Sequence, residues 1–134
     1  MREILFRGKD FSGVINHSWC FGSLDTTEDD RTIIIYPDRF GNKCRIFVNS
    51  ETVGQYTGLK DKNGTKIFEG DIVKRFWFGK MCIYQIDYDN GLASFIGRAG
   101  MKFTTFDYDS AEFEVVGNIH DNPELLRGND NAER

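Results

Sequence analysis

The stretch DIVKRFWFGKMCIYQIDYDNGLASFI, Asp71 to Ile96, decides the fold. DIVKRFWF runs into Gly79 and Lys80, MCIYQID follows, Asp89, Asn90 and Gly91 turn the chain again, and LASFI returns. Short runs of β-branched and aromatic residues separated by such turn signals predict three sequential antiparallel strands. A fourth strand at MKFTTF and a fifth at EFEVVGNI complete the set needed for an SH3-like small barrel, closed or nearly closed to hide its edges.

Working outward, the same two-residue period recurs. In EFEVVGNIH, Phe113, Val115 and Ile119 fall on one face, with Glu112, Glu114, Asn118 and His120 on the other. REILFRG puts Ile4 and Phe6 together, and CRIFV does so for Cys44, Ile46 and Val48. TIIIY, Thr32 to Tyr36, is apolar on both faces and reads as a central or doubly covered strand. One helix is expected, in DNPELLRG, with Asn122 as N-cap, Pro123 at the first helical position and Gly128 just past the end. The expected organisation is therefore mainly β: an N-terminal β lobe over 1–57 packed on the barrel, the SH3-like barrel and short C-terminal helix over 58–127, and a flexible tail over 128–134. IDYDNG and FDYDSA look alike, but turn composition accounts for both.

GLKDKNGTK, Gly58 to Lys66, superficially resembles a phosphate-binding loop. Such a loop requires GxxxxGK followed by Ser or Thr, with a helix behind it. Here the glycine spacing is one residue too long, Thr65 precedes Lys66, and the strand-like KIFEGDIV follows. Asn63-Gly64 is instead a strong hairpin signal, because both residues tolerate positive φ.

Composition agrees with one soluble domain or two small lobes: 134 residues, 40% hydrophobic and 28% charged. A chain of this size buries roughly two-thirds of its unfolded surface, so folding requires no disulfide or metal. Cys20, Cys44 and Cys82 are an odd number, lie far apart and form no CxxC pair, which fits a reducing cytosol. No signal-peptide core or membrane-length apolar run is present in the sequence, so no membrane partner is expected. The formal charge of -4 disfavours a broad nucleic-acid footprint.

GQYTGLKDKNGTKIFEGDIVK, Gly54 to Lys74, resembles the central signature of the YopX family of small phage and prophage proteins. MREILFRGK at the start and VVGNIHDNPELL near the end agree with it in the expected order, and Phe76 to Ser110 is the most divergent part. The resemblance implies an all-β protein with an SH3-like portion, encoded by a phage or prophage, with no established activity. It supplies no catalytic or cofactor residues.

The search for chemistry gives little. There is no GxSxG elbow, and His17 and His120 have no locally signalled nucleophile. His17 and Cys20 in HSWC have a zinc-ligand spacing but lack a second pair. Asp87 with Asp89, and Asp107 with Asp109, could serve a hard cation, yet no glutamate follows in register, and turn flanks explain them better. No enzyme activity, cofactor or metal is expected.

The strongest functional stretch is KRFWFGK, where Lys74, Arg75, Trp77 and Lys80 interleave charge with aromatics. As a strand it directs Lys74, Phe76 and Phe78 one way and Arg75 and Trp77 the other, leaving an aromatic outside a barrel core. The expected role of the strand is packing, with the N-terminal lobe covering the outward ring. The leading functional expectation is a non-catalytic phage or prophage module acting through protein-protein contact or self-assembly, with a host or phage protein or a second copy as partner. The alternative is a nucleic-acid-binding module using Lys74, Arg75, Trp77 and Lys80 as a stacking and phosphate-contact surface. Clustering of Lys60, Lys62, Lys66, Lys74, Arg75 and Lys80 on one face would favour the alternative.

Overall fold

The computed structural model describes residues 2–105 and 112–127. Asp107, Asp109 and the expected tail lie outside them. The chain divides into two compact units between Tyr56 and Thr57.

The first unit is antiparallel β. It contains β1 (Phe6–Lys9), β2 (Trp19–Thr26), β3 (Thr32–Pro37), β4 (Lys43–Phe47) and the start of β5 (Gly54–Lys60), in the order β4-β3-β2-β1-β5. TIIIY is central as expected, with Ile33 and Ile34 buried. Cys20, Ile34, Ile46 and Val48 form the core, with Phe6, Ile15, Tyr36 and Val53 packed around it. Ile4 is exposed and precedes β1, so its expected pairing with Phe6 on a strand face is not formed. Burial raises the pKa of the Cys20 thiol, in agreement with a packing role.

The loop from Asp10 to Ser18 closes around one buried carboxylate. Asp10 accepts from the Ser12 hydroxyl and N–H at 2.7 and 2.9 Å, from the Ile15 N–H at 2.8 Å and from the His17 N–H at 3.3 Å. Burial alone would raise the carboxyl pKa, but these bonds outweigh it and hold the value down at about 2. His17 Nδ1 lies 2.9 Å from the Asp10 carbonyl oxygen, so this histidine shapes the loop.

The second unit contains the rest of β5, β6 (Lys66–Phe68), β7 (Asp71–Trp77), β8 (Lys80–Asp89), β9 (Ser94–Ala99), β10 (Lys102–Thr105), β11 (Glu114–Asn118) and a short helix α1 over 124–127. The five strands expected of the barrel are present, ordered β10-β9-β8-β7-β11. The sheet is not closed: β11 adds at β7, leaving β10 as the opposite edge. Ile67, Val73, Tyr84, Ile86, Ala99 and Phe113 form the core.

Within GLKDKNGTK, Gly58 to Lys60 end β5, Lys66 opens β6, and residues 61–65 make the turn between them. Gly64 has φ of 83° and Asn63 does not, so only the glycine takes the left-handed conformation. The Asp61 carboxylate accepts from the N–H groups of Asn63 and Thr65, both at 2.9 Å, and from Val115 N–H on β11 at 2.9 Å. The turn is thereby tied to the C-terminal strand. A bulge between Val115 and Gly117 interrupts the expected alternation there and places Asn118 inside. Asn122 starts the helical turn, but its side-chain oxygen accepts from Asn118 N–H at 3.2 Å instead of capping helical donors. Gly117 permits this approach, since a Cβ there would lie 2.5 Å from that oxygen.

Candidate functional site

The β7-β8 ladder builds the candidate site. Its register pairs Val73 with Tyr84, Arg75 with Cys82 and Trp77 with Lys80, so all six side chains belong to one face. The face continues through β9 and β10. A Cβ on Gly97 would meet Tyr84 Cβ at 3.1 Å and Thr104 Cγ2 at 3.3 Å, which places Thr104, and two residues earlier Lys102, on the same side. Toward Val73, Tyr84 and Ile86 the face is core. Toward the hairpin it becomes a groove of about 350 Å³, lined by Arg75, Trp77, Lys80, Tyr84, Lys102 and Phe103 among others. No Asp or Glu is among the described residues lining it.

Arg75 marks the transition. It is only 5% exposed. Its guanidinium carbon lies 4.4 Å from the Trp77 ring centroid, 4.9 Å from Phe113 and 5.5 Å from Tyr84, and Nη2 donates to the Tyr84 hydroxyl at 3.2 Å. Desolvation raises the Tyr84 pKa, so its hydroxyl remains a neutral acceptor across the physiological range. The aromatic faces stabilise a buried positive charge beneath the groove.

Trp77 is 41% exposed, which overturns the expectation that it is covered. The reason is that β7 runs past the core: Val73 belongs to the core cluster, whereas Trp77 pairs with the first residue of β8 at the end of the hairpin. Phe76, on the opposite face, is 65% exposed and pairs with half-exposed Met81. Phe78 lies in the turn and not on the strand face assigned to it from the sequence.

The expected cations separate into two groups. Lys74 lies 3.8 Å and Lys62 lies 3.1 Å from the Glu114 carboxylate. Lys74 therefore points away from Arg75, so the six-residue basic cluster is not formed and that criterion for the nucleic-acid alternative is not met. Arg75 and Lys80 remain with Trp77 and are joined by Lys102. Sequence reasoning missed Lys102 and Phe103, because only the β8-β9-β10 register brings them to a strand more than twenty residues earlier.

Asp89 accepts from Gly91 N–H at 2.9 Å as a turn flank does, whereas Asp87 lies within β8 and pairs across to Arg98 on β9 at 3.2 Å, so the turn reading holds for Asp89 alone. Cys20 is buried, and its thiol lies 3.8 Å from the Ser18 carbonyl oxygen. Among the described residues no group of three or more His, Cys, Asp or Glu is arranged to hold a metal ion. None of their helices is long and apolar enough to cross a membrane.

The fold and groove define a small two-unit β protein with an open, basic-aromatic sheet face. A model of the YopX protein family matches residues 6–127, and the chain belongs to that family. It is similar to the crystal structure of protein EF1440 from Enterococcus faecalis, at 24% identity over 94% of this chain and 99% of that one, with a TM-score of 0.54. At that identity the likeness concerns the fold alone. No curated protein matches the chain.

Proposed function

We propose that this protein is a non-catalytic module, expressed by a phage or prophage in the bacterial cytoplasm, that binds single-stranded nucleic acid through the β7-β8-β10 groove of an open SH3-like sheet. The observation that carries this reading is the half-exposed Trp77 beside Arg75, Lys80 and Lys102 in a groove without acidic lining among the described residues. Aromatic rings that accept bases, together with cations that meet phosphates, are the two parts of a single-strand platform. The overall charge of -4 does not oppose it, because the local field of a groove steers a polyanion more than the sum over the chain does. The test is anisotropy of a labelled oligo-deoxythymidine strand titrated with wild-type protein and with Trp77→Ala. Wild-type binding that Trp77→Ala weakens by about 1 to 3 kcal/mol supports the reading. Equal binding by both proteins contradicts it.

A second reading, contact with a host or phage protein or with a second copy, is favoured by the Phe76-Met81 pair exposed on the opposite face. Phe76→Ser would then abolish co-purification of that partner, or dissociate a dimer in sedimentation, without affecting oligonucleotide binding.

A further inference from the structure

Phe78 occupies a position that its backbone disfavours. It is the first of the two residues joining β7 to β8, with φ of 49°, and Gly79 follows at 76°. A two-residue turn with positive φ at both positions has the I′ pattern, for which Asn-Gly is the preferred pair. A bulky side chain at positive φ crowds its own backbone. Packing does not compensate, since the ring is 89% exposed and makes an edge-to-face contact with Trp77 at 5.0 Å. Strained backbone clusters at binding sites, and an exposed ring held at positive φ beside the groove is a candidate for a ligand contact.

We propose that Phe78 contacts nucleobases directly: it stacks on the unpaired base next to the one held against Trp77, so that groove and hairpin tip take two successive nucleotides. This inference rests on the single-strand reading above and specifies its ligand. The Trp77 and Phe78 rings are inclined at 83°. Bases stacked on both rings lie nearly perpendicular to each other. Duplex base steps are parallel and stacked, whereas an unstacked single strand accepts such a splay. Lys80 follows directly on the turn and Lys102 lines the same groove, so both serve the phosphates of those nucleotides.

The experiment uses the full chain, a labelled oligo-deoxythymidine strand as probe, and the variants Phe78→Asn and Phe78→Tyr, with affinity and melting temperature recorded together. Asn suits the turn, so Phe78→Asn melts higher than wild type while its affinity falls about 5- to 150-fold, the loss of one stacked base. Phe78→Tyr keeps wild-type affinity, and an unlabelled duplex of equal length competes poorly. Wild-type affinity in Phe78→Asn overturns the Phe78 role while the groove reading stands. Loss of affinity with a lowered melting temperature, or loss shared by Phe78→Tyr, also overturns it, because the ring then serves the fold. Failure of the wild-type protein to bind the strand overturns both.

Discussion

Trp77 and Asp10 show two opposite uses of a side chain. Trp77 keeps 41% of its surface exposed, so Trp77→Ala will lower stability by less than the about 3 to 5 kcal/mol that a buried tryptophan costs. Urea denaturation checks this, and a loss in the full range would return Trp77 to a packing role. Asp10 is 2% exposed and serves the fold. Burial opposes its ionised form, yet hydrogen bonds from Ser12, Ile15 and His17 hold its pKa at about 2, below the ordinary 3.8. A depressed carboxyl pKa stabilises the folded state fully above the unfolded value and progressively less as pH falls through the folded one. Thermal melts should therefore show stability falling between about pH 4 and 2, with Asp10→Asn flattening that slope. Arg75 and Trp77 were legible from alternation in KRFWFGK. Their exposure was not, because it depends on where β7 leaves the core.

The β5-β6 turn and β11 are held together by Asp61. Its carboxylate accepts three backbone N–H groups, including that of Val115, and the residue is buried. Asp61→Ala leaves those donors without their acceptor and should cost about 1 to 3 kcal/mol by chemical denaturation. A change under half of that would show that water replaces the carboxylate. Gly64→Ala is a different case. No atom lies within 4 Å of the added Cβ, so the cost is the positive φ of 83° alone, about 1 kcal/mol. Most strands were legible because half-buried ladders alternate visibly, but β2 was not, since only Cys20 of its eight residues is buried and its sequence carries no two-residue apolar period. The bulge at Val115 to Gly117 was hidden, since one extra residue reverses the faces without a compositional mark, and Asn118 consequently reads as exposed in the sequence. Barrel closure was equally hidden: strand number does not determine whether edges meet, and this sheet leaves β10 and β11 as its edges.

Each of the two units has its own core cluster, and β5 belongs to both, with its first residues pairing with β1 and its later ones preceding the turn to β6. A fragment starting at Gly54 loses the partners of Gly54 and Gln55 and exposes a strand edge. It should be aggregation-prone or molten, and a well-dispersed amide spectrum with an unchanged melting temperature would contradict this. Net charge was the least informative global property of the sequence. The -4 total concealed a groove where Arg75, Lys80 and Lys102 meet without acidic lining among the described residues. The most direct test of single-strand binding is the salt dependence of oligo-deoxythymidine affinity. Lys80 and Lys102 meeting two phosphates predict a log-log slope of about -1.4, reduced by about half in Lys102→Gln. A flat salt response, or a slope unchanged in Lys102→Gln, would contradict the assignment of this groove to nucleic acid.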